Sequence, residues 1–252
     1  GIPLVEPVYH RHPAAEEASD PAALQEALAE AVGLINAARQ PVIFAGIEVH
    51  RFGLQNELVE LARATGIPVT ASILGKSVIA ENLPFYMGVY EGATGLDSVR
   101  EYVEASDCLI MLGVFMTDIN LGIYTARIDP ARTIYATSEK LAIRYHNYEG
   151  VRFDDFLRGL RSGEIRKREL GPIPHPTPPG PFVVDAHARI RTRRLFERLN
   201  SFLKENTIVI ADVGDSLFGA GDLFIHRHTE FLSCAYYASM GFSIPGSIGA
   251  QC

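Results

Sequence analysis

Continuous apolar runs of strand length alternate with amphipathic helical segments along the first two thirds of the chain. A strand that is apolar at every position must be buried on both faces, which happens when helices cover a parallel sheet on both sides. The alternation therefore predicts an α/β fold in which a doubly wound, mainly parallel sheet forms a central domain. We expect its strands near residues 42–46, 67–72, 108–112 and 133–136.

Helical segments separate the predicted strands. Asp20 can cap a helix whose first residue is Pro21, because proline is tolerated at the first helical position. Apolar residues then recur at helical spacing to about Ala38, which predicts an amphipathic helix. The same periodicity predicts further helices at 54–64, 97–104 and 153–160.

A proline-rich stretch divides the chain. Residues 171–182 contain six prolines, a composition that excludes a helix or a central strand and is typical of an extended linker. A helix at about 187–204 and a strand at 207–211 should follow it. The expected organisation is an incoming linker (1–20), the central domain (21–165), the proline-rich linker (166–186) and a second α/β domain (187–252), which we expect to be truncated at Cys252.

Composition excludes several classes of protein. The 252 residues carry 23 Lys and Arg against 30 Asp and Glu, a net charge of −7, which argues against a broad nucleic-acid surface. No run reaches the roughly 18 apolar residues of a membrane span. Three cysteines without C-x-x-C spacing do not suggest a disulfide framework. We expect a cytoplasmic protein that acts without nucleic acid or membrane.

Common cofactor and metal motifs are missing from the sequence. The turn after the first strand holds a single glycine, Gly46, followed by Ile47 and Glu48, whereas a dinucleotide site needs G-x-G-x-x-G. Neither a Walker A pattern nor a G-x-S-x-G elbow occurs. Two His-Arg-His segments, at 10–12 and 226–228, lack further ligands nearby, so solvated loops are favoured and no metal-ligating residue is assigned.

The stretch after the strand at 207–211 is more informative. Gly214, Asp215 and Ser216 follow the strand and precede a helix-like segment, so the turn amides and the Ser216 hydroxyl could bind a phosphate at a helix N-terminus. The Asp215 carboxylate would repel an anion, and its alternative role is that of a helix N-cap. Both roles remain open from the residues alone.

The strings ADVGDSLF (211–218) and YYASMGFSIPGSIGAQ (236–251) resemble the thiamine diphosphate-dependent 2-keto acid decarboxylases. The segments PVIFAGIEVHRFGLQ (41–55) and LARATGIPV (61–69) are similar to the central domain of that family. The resemblance is closer to the indolepyruvate and phenylpyruvate decarboxylases than to pyruvate decarboxylase. It covers nearly the whole chain, as a central domain plus the start of the C-terminal domain.

The resemblance implies a set of cofactor-binding residues. Gly214, Asp215 and Ser216 would lie near the diphosphate of thiamine diphosphate, which Mg²⁺ anchors in the family. The Ala238 carbonyl would accept a hydrogen bond from the amino group of the pyrimidine ring. The Met240 amide would donate to a pyrimidine nitrogen, and the Met240 side chain would hold the cofactor bent.

The resemblance also implies an activity and its limits. The parent protein would convert an aromatic or branched 2-keto acid to an aldehyde and CO2, as a homodimer or homotetramer. The activating glutamate of the family belongs to an N-terminal domain, and its magnesium ligands would follow Cys252. No catalytic set is therefore complete in this chain, which we expect to be inactive when isolated.

Two alternatives to this activity remain open. The chain could belong to a thiamine diphosphate-dependent carboligase or oxidase that holds a nucleotide in the central domain. Such a nucleotide would need a phosphate-receptive crevice around Gly46 and Gly113. The chain could also be a non-catalytic assembly or effector-binding module, and a purely structural role predicts no ligand-sized cleft.

Overall fold

A computed structural model describes residues 18–226 and 229–252 of the chain. Its helices are α1 (Pro21–Ala37), α2 (Ile47–Arg51), α3 (Gln55–Thr65), α4 (Asp97–Glu104), α5 (Phe153–Ser162), α6 (Thr192–Phe202), α7 (Asp215–Gly221) and α8 (Ser243–Gln251). Its strands are β1 (Pro41–Ala45), β2 (Val69–Ala71), β3 (Tyr86–Val89), β4 (Cys108–Leu112), β5 (Thr133–Ala136), β6 (Leu141–Ile143), β7 (His146–Tyr148), β8 (Ile208–Ala211) and β9 (Glu230–Ser233).

Seven of these strands form one sheet in the order β3-β2-β1-β4-β5-β6-β7. The first five in that order are mutually parallel, whereas β6 and β7 continue the sheet in antiparallel fashion. Val42 lies opposite Leu109 in the parallel pair of β1 and β4. The predicted mainly parallel α/β sheet is thus confirmed. A second, two-stranded sheet pairs β8 with β9 in parallel.

Strands β1 and β4 are buried at every position, and alternate residues enter different cores. Ile43 and Ala45 contact the core formed with α1, α3 and α5. Val42 and Phe44 point to the opposite face, where α4 and Tyr90 cover them. The rings of Phe44 and Tyr90 meet edge to face with their centroids 5.3 Å apart. Both faces of the sheet are therefore covered, as the continuous apolar runs require.

The predicted start of the first helix is confirmed. The Asp20 carboxylate accepts hydrogen bonds from the amides of Ala22 and Ala23, at 2.8 and 3.0 Å, and Pro21 occupies the first helical position. These bonds satisfy two of the amides that a helix start leaves without intrahelical partners.

Several boundaries and strands differ from the sequence prediction. The helix expected at 187–204 begins only at Thr192 and ends at Phe202. Strand β3 was not predicted because it contains Gly88, which adopts a φ of 115° and interrupts the usual strand composition. Strands β6 and β7 were missed because each has only three residues, joined by a turn with Arg144 at a φ of 56°.

The proline-rich segment contains no helix or strand between α5 and α6. Its N-terminal part nevertheless lies on the large sheet and its helices. The Arg168 amide donates to the Thr65 carbonyl at 2.8 Å, and Nδ1 of His175 lies 3.0 Å from the Tyr86 carbonyl oxygen. The domain limits drawn from composition stay a prediction, and the linker at 1–20 lies mostly outside the described residues.

Within the two described ranges, no helix has both the length and the apolar character needed to cross a membrane.

Two glycine substitutions test the close packing at the end of β1. A Cβ added at Gly46 would lie 2.1 Å from the Gly113 carbonyl oxygen, so Gly46→Ala should destabilise the fold by about 3 kcal/mol through overpacking. A Cβ added at Gly33, inside α1, meets no atom within 4 Å, so Gly33→Ala should stabilise by about 0.5–1 kcal/mol. Urea unfolding followed by circular dichroism measures both. Equal effects of the same sign would contradict the described contact.

Candidate functional site

The first turn with predicted site residues joins β8 to α7. Gly214 is the N-cap of α7 and adopts a φ of 76°, a conformation that favours glycine. Asp215 is the first residue of that helix and makes no side-chain capping bond, so its alternative role as the N-cap is wrong. Asp215 and Ser216 are both exposed.

The hydroxyl of Ser216 is engaged within its own turn. Its oxygen lies 2.8 Å from the Asp212 carbonyl and 2.9 Å from the Val213 carbonyl, and its single proton donates to one of them. The backbone amides of Asp215 and Ser216 have no acceptor among the residues that the structure describes. An anion at this turn would therefore meet the two amides before the hydroxyl.

The second turn with predicted site residues follows β9. Ala238 adopts a left-handed φ of 51°, and its amide donates to the Cys234 carbonyl at 2.8 Å. The Cys234 thiol donates to the Ser239 carbonyl at 3.0 Å. These bonds leave the Ala238 carbonyl and the Met240 amide without a partner in the described ranges. The Met240 residue is 89% exposed.

Asp212 connects the two turns. One carboxylate oxygen accepts from the Gly241 amide at 2.9 Å and from the Ser243 hydroxyl at 3.3 Å, and the other accepts from the Val213 amide at 3.1 Å. Burial opposes ionisation of this carboxyl group, but the hydrogen bonds outweigh it and lower the pKa of Asp212. Asp212 was not among the predicted site residues. Its position between strand and glycine was the available signal, but its contact with Gly241 required the structure.

Both turns are attached to the large sheet through the residues that follow β2. Ile73 and Leu74 share an apolar cluster with Leu217 and Phe231. The Glu230 carboxylate lies 2.7 Å from Nε2 of His50, and its hydrogen bond raises the pKa of that histidine above the ordinary value despite partial burial. These contacts fix the candidate site relative to the central sheet.

The position at which such a sheet usually binds a nucleotide is filled by the protein's own residues. Ligands of doubly wound sheets bind where the strand order reverses, which here is between β1 and β4. The amides of Gly46 and Gly113 donate to the Leu112 and Ala136 carbonyls, at 2.8 and 2.7 Å. The buried Glu48 carboxylate accepts from the amide and hydroxyl of Ser138 beside them. Neither glycine amide is free to bind a phosphate.

The described ranges contain no group of three or more side chains suited to holding a metal ion. Of the two His-Arg-His segments, 10–12 and most of 226–228 lie outside the described residues.

Comparison with known proteins gives a family match. The family described as "thiamine pyrophosphate enzyme, central domain" matches residues 28–148. The chain is 31% identical to indole-3-pyruvate decarboxylase of Azospirillum brasilense over 234 residues, 88% of this chain. It is 30% identical to an alpha-keto-acid decarboxylase of Mycobacterium leprae over 241 residues, 94% of this chain. The alignments cover 41% and 42% of those relatives, so the chain spans about two fifths of their length.

Asp212→Asn tests the connection between the turns. Because the pKa of Asp212 is lowered by folding, its ionised form stabilises the protein above the ordinary aspartate pKa of about 3.9. This stabilisation disappears as the pH falls through the lowered pKa that Asp212 has in the folded protein. The variant should therefore be less stable at neutral pH, and its free energy of unfolding should depend less on pH in the acid range.

The matched control is Asp215→Asn, because the Asp215 carboxylate makes no capping bond in the same turn. Free energies of unfolding measured from neutral to acid pH compare the two variants. Identical pH profiles for both would contradict the role of Asp212.

Proposed function

Because the chain belongs to the thiamine pyrophosphate enzymes through the central domain at residues 28–148, we propose that it is part of a 2-keto acid decarboxylase. The required cofactor is thiamine diphosphate, another name for thiamine pyrophosphate. Two relatives that align with most of the chain are named indole-3-pyruvate decarboxylase and alpha-keto-acid decarboxylase, and these names support the reaction class. The reaction cleaves the bond between the carboxyl and keto carbons and yields an aldehyde and CO2.

We further propose an aromatic or branched 2-keto acid as the substrate. The support is the relative named for indole-3-pyruvate, which is 31% identical over 88% of this chain. Comparison of aldehyde formation from indolepyruvate, phenylpyruvate and pyruvate by the complete polypeptide tests this preference. Faster turnover of pyruvate than of both aromatic acids would contradict it.

The observation that carries the proposal is a pair of backbone groups in the second turn that have no partner within residues 18–226 and 229–252. The Ala238 carbonyl can accept from the amino group of an aminopyrimidine, and the Met240 amide can donate to its ring nitrogen. Ala238 adopts a left-handed conformation in which its amide donates to the Cys234 carbonyl, while its own carbonyl has no partner among the described residues. Asp212 positions the turn by binding the next amide, that of Gly241. These two groups supply the acceptor and the donor that such a ring would need.

When bound, thiamine diphosphate supplies the electron sink for cleavage of the carbon–carbon bond. The chain contributes binding and orientation. The exposed Met240 side chain provides an apolar surface against which the cofactor can bend, and the Asp215 and Ser216 amides can donate to the diphosphate. The nearby Asp215 carboxylate would repel that anion. A compensating cation is therefore needed, and we propose Mg²⁺.

The apolar surface around Met240 supports the proposed oligomer. Tyr237, Met240, Ile244 and Ile248 are 81%, 89%, 72% and 64% exposed, which is unusual for large apolar side chains. In a homodimer or homotetramer, the partner subunit would cover this surface and complete the cofactor site. The size of the assembly and its catalytic glutamate belong to the complete protein and stay proposals.

The alternative of a nucleotide in the central domain has less support. The crevice between β1 and β4 is closed by Gly46 and Gly113, and the Glu48 carboxylate would repel a phosphate there. The alternative of a purely structural module is disfavoured by a cavity of about 640 Å³.

Met240→Gly in the complete polypeptide tests the proposed role of this side chain. Loss of the apolar support should lower kcat for decarboxylation at least about tenfold while the fold stays intact, since the side chain is exposed. The control is Met116→Gly, which removes another exposed methionine, 44% exposed and outside both turns. Steady-state kinetics with saturating thiamine diphosphate and Mg²⁺ measures the effect. Equal kcat values for both variants would overturn the assignment.

A further inference from the structure

A cavity of about 640 Å³ lies between the large sheet and the C-terminal segment, and its lining includes none of the candidate cofactor-binding residues of the two turns. Residues after β2 and β3 line one side, including Lys76, Glu81 and Glu91. Residues at the end of α7 and just beyond it line the other, including Asp222 and Phe224. The volume lies in the range of small-molecule binding sites.

A buried ion pair neutralises the lysine that lines the cavity. The Lys76 ammonium lies 2.6 Å from a Glu81 carboxylate oxygen, and the two side chains are 3% and 4% exposed. Each charge is therefore compensated by the other. The pair leaves no net positive charge for an anionic ligand.

Glu91, by contrast, has an unsatisfied oxygen. Its Oε1 atom is buried and has no hydrogen-bond partner among the described residues. A buried acceptor without a donor is destabilising, so a donor at this position would be favourable. Burial raises the pKa of Glu91 to about 7, with the Lys76 charge opposing this effect and the Asp222 charge adding to it.

The remaining lining also favours a cation. Asp222, at the end of α7, adds a second carboxylate to the lining and lies close enough to raise the pKa of Glu91. Among the described residues that line the cavity, the other cation is Arg193, whose side chain is 91% exposed and bonded to Glu197 at 2.9 Å. Leu96, Phe218 and Phe224 supply apolar surface. The cavity thus combines the Glu91 and Asp222 carboxylates, neither of which forms an ion pair among the described residues, with aromatic and aliphatic walls.

We propose that this cavity binds a small organic cation, an amine or amidinium with an apolar body. Its N–H groups donate to the Glu91 carboxylate and face Asp222, while its body contacts Phe218, Phe224 and Leu96. The proposal does not depend on decarboxylation, since it concerns residues outside the two turns.

Benzamidine is a suitable probe because it joins an amidinium to a phenyl ring, and benzamide is its neutral counterpart. Calorimetry on the 252-residue chain should detect benzamidine binding that is at least about tenfold tighter than benzamide binding. Glu91→Gln should weaken benzamidine binding about tenfold, and Asp222→Asn should weaken it to a smaller extent. Glu101→Gln, an exposed change on α4 away from the cavity lining, should have no effect.

The pH dependence separates a direct role of Glu91 from a structural one. Benzamidine stays cationic near neutral pH, so its affinity should rise as the pH rises through about 7 and Glu91 ionises. The Glu91→Gln variant, with its fold verified by circular dichroism, should lose this dependence. Absence of benzamidine binding, equal binding of benzamide, or undiminished binding by a folded Glu91→Gln variant would each overturn the proposal. If Glu91→Gln does not fold, undiminished binding by Asp222→Asn would overturn it.

Discussion

The mutual burial of β1 and β4 is the constraint on which the rest of this structure depends. Because both strands are apolar at every position, helices must cover both faces of the sheet. The same pairing brings Gly46 against Gly113 at the carboxyl edge, where a nucleotide would otherwise bind. Packing that stabilises the sheet therefore also closes its usual ligand crevice. The candidate site and the cavity lie elsewhere as a result.

The backbone of the C-terminal segment places the candidate site residues. Gly214, Ala238 and Gly241 have positive φ angles, which orient the amides and carbonyls of the two turns. Asp212 links these turns by accepting from Gly241. Apolar packing around Ile73 and Leu217 then fixes the pair of turns to the sheet. The site is thus built mainly from backbone groups, and its side chains serve to hold the backbone in place.

Much of the fold could be predicted from local sequence, because apolar periodicity and the Asp20 cap act over a few residues. Strand β3 could not, since Gly88 weakens the local pattern and only pairing with β2 makes the segment extended. The motif strings identified Gly214, Asp215, Ser216, Ala238 and Met240 as candidates, but their roles stay proposals. The bond from Gly241 to Asp212 and the approach of Asp222 to Glu91 depend on tertiary contacts that no local pattern contains.

Amide hydrogen exchange at Met240 in the complete polypeptide tests the central claim most directly. The Met240 amide has no acceptor in the described part of the chain, whereas the Gly241 amide already donates to Asp212. Addition of thiamine diphosphate and Mg²⁺ should slow exchange at Met240 strongly and change that at Gly241 much less. Unchanged exchange at Met240 under conditions where the cofactor is bound would contradict the account.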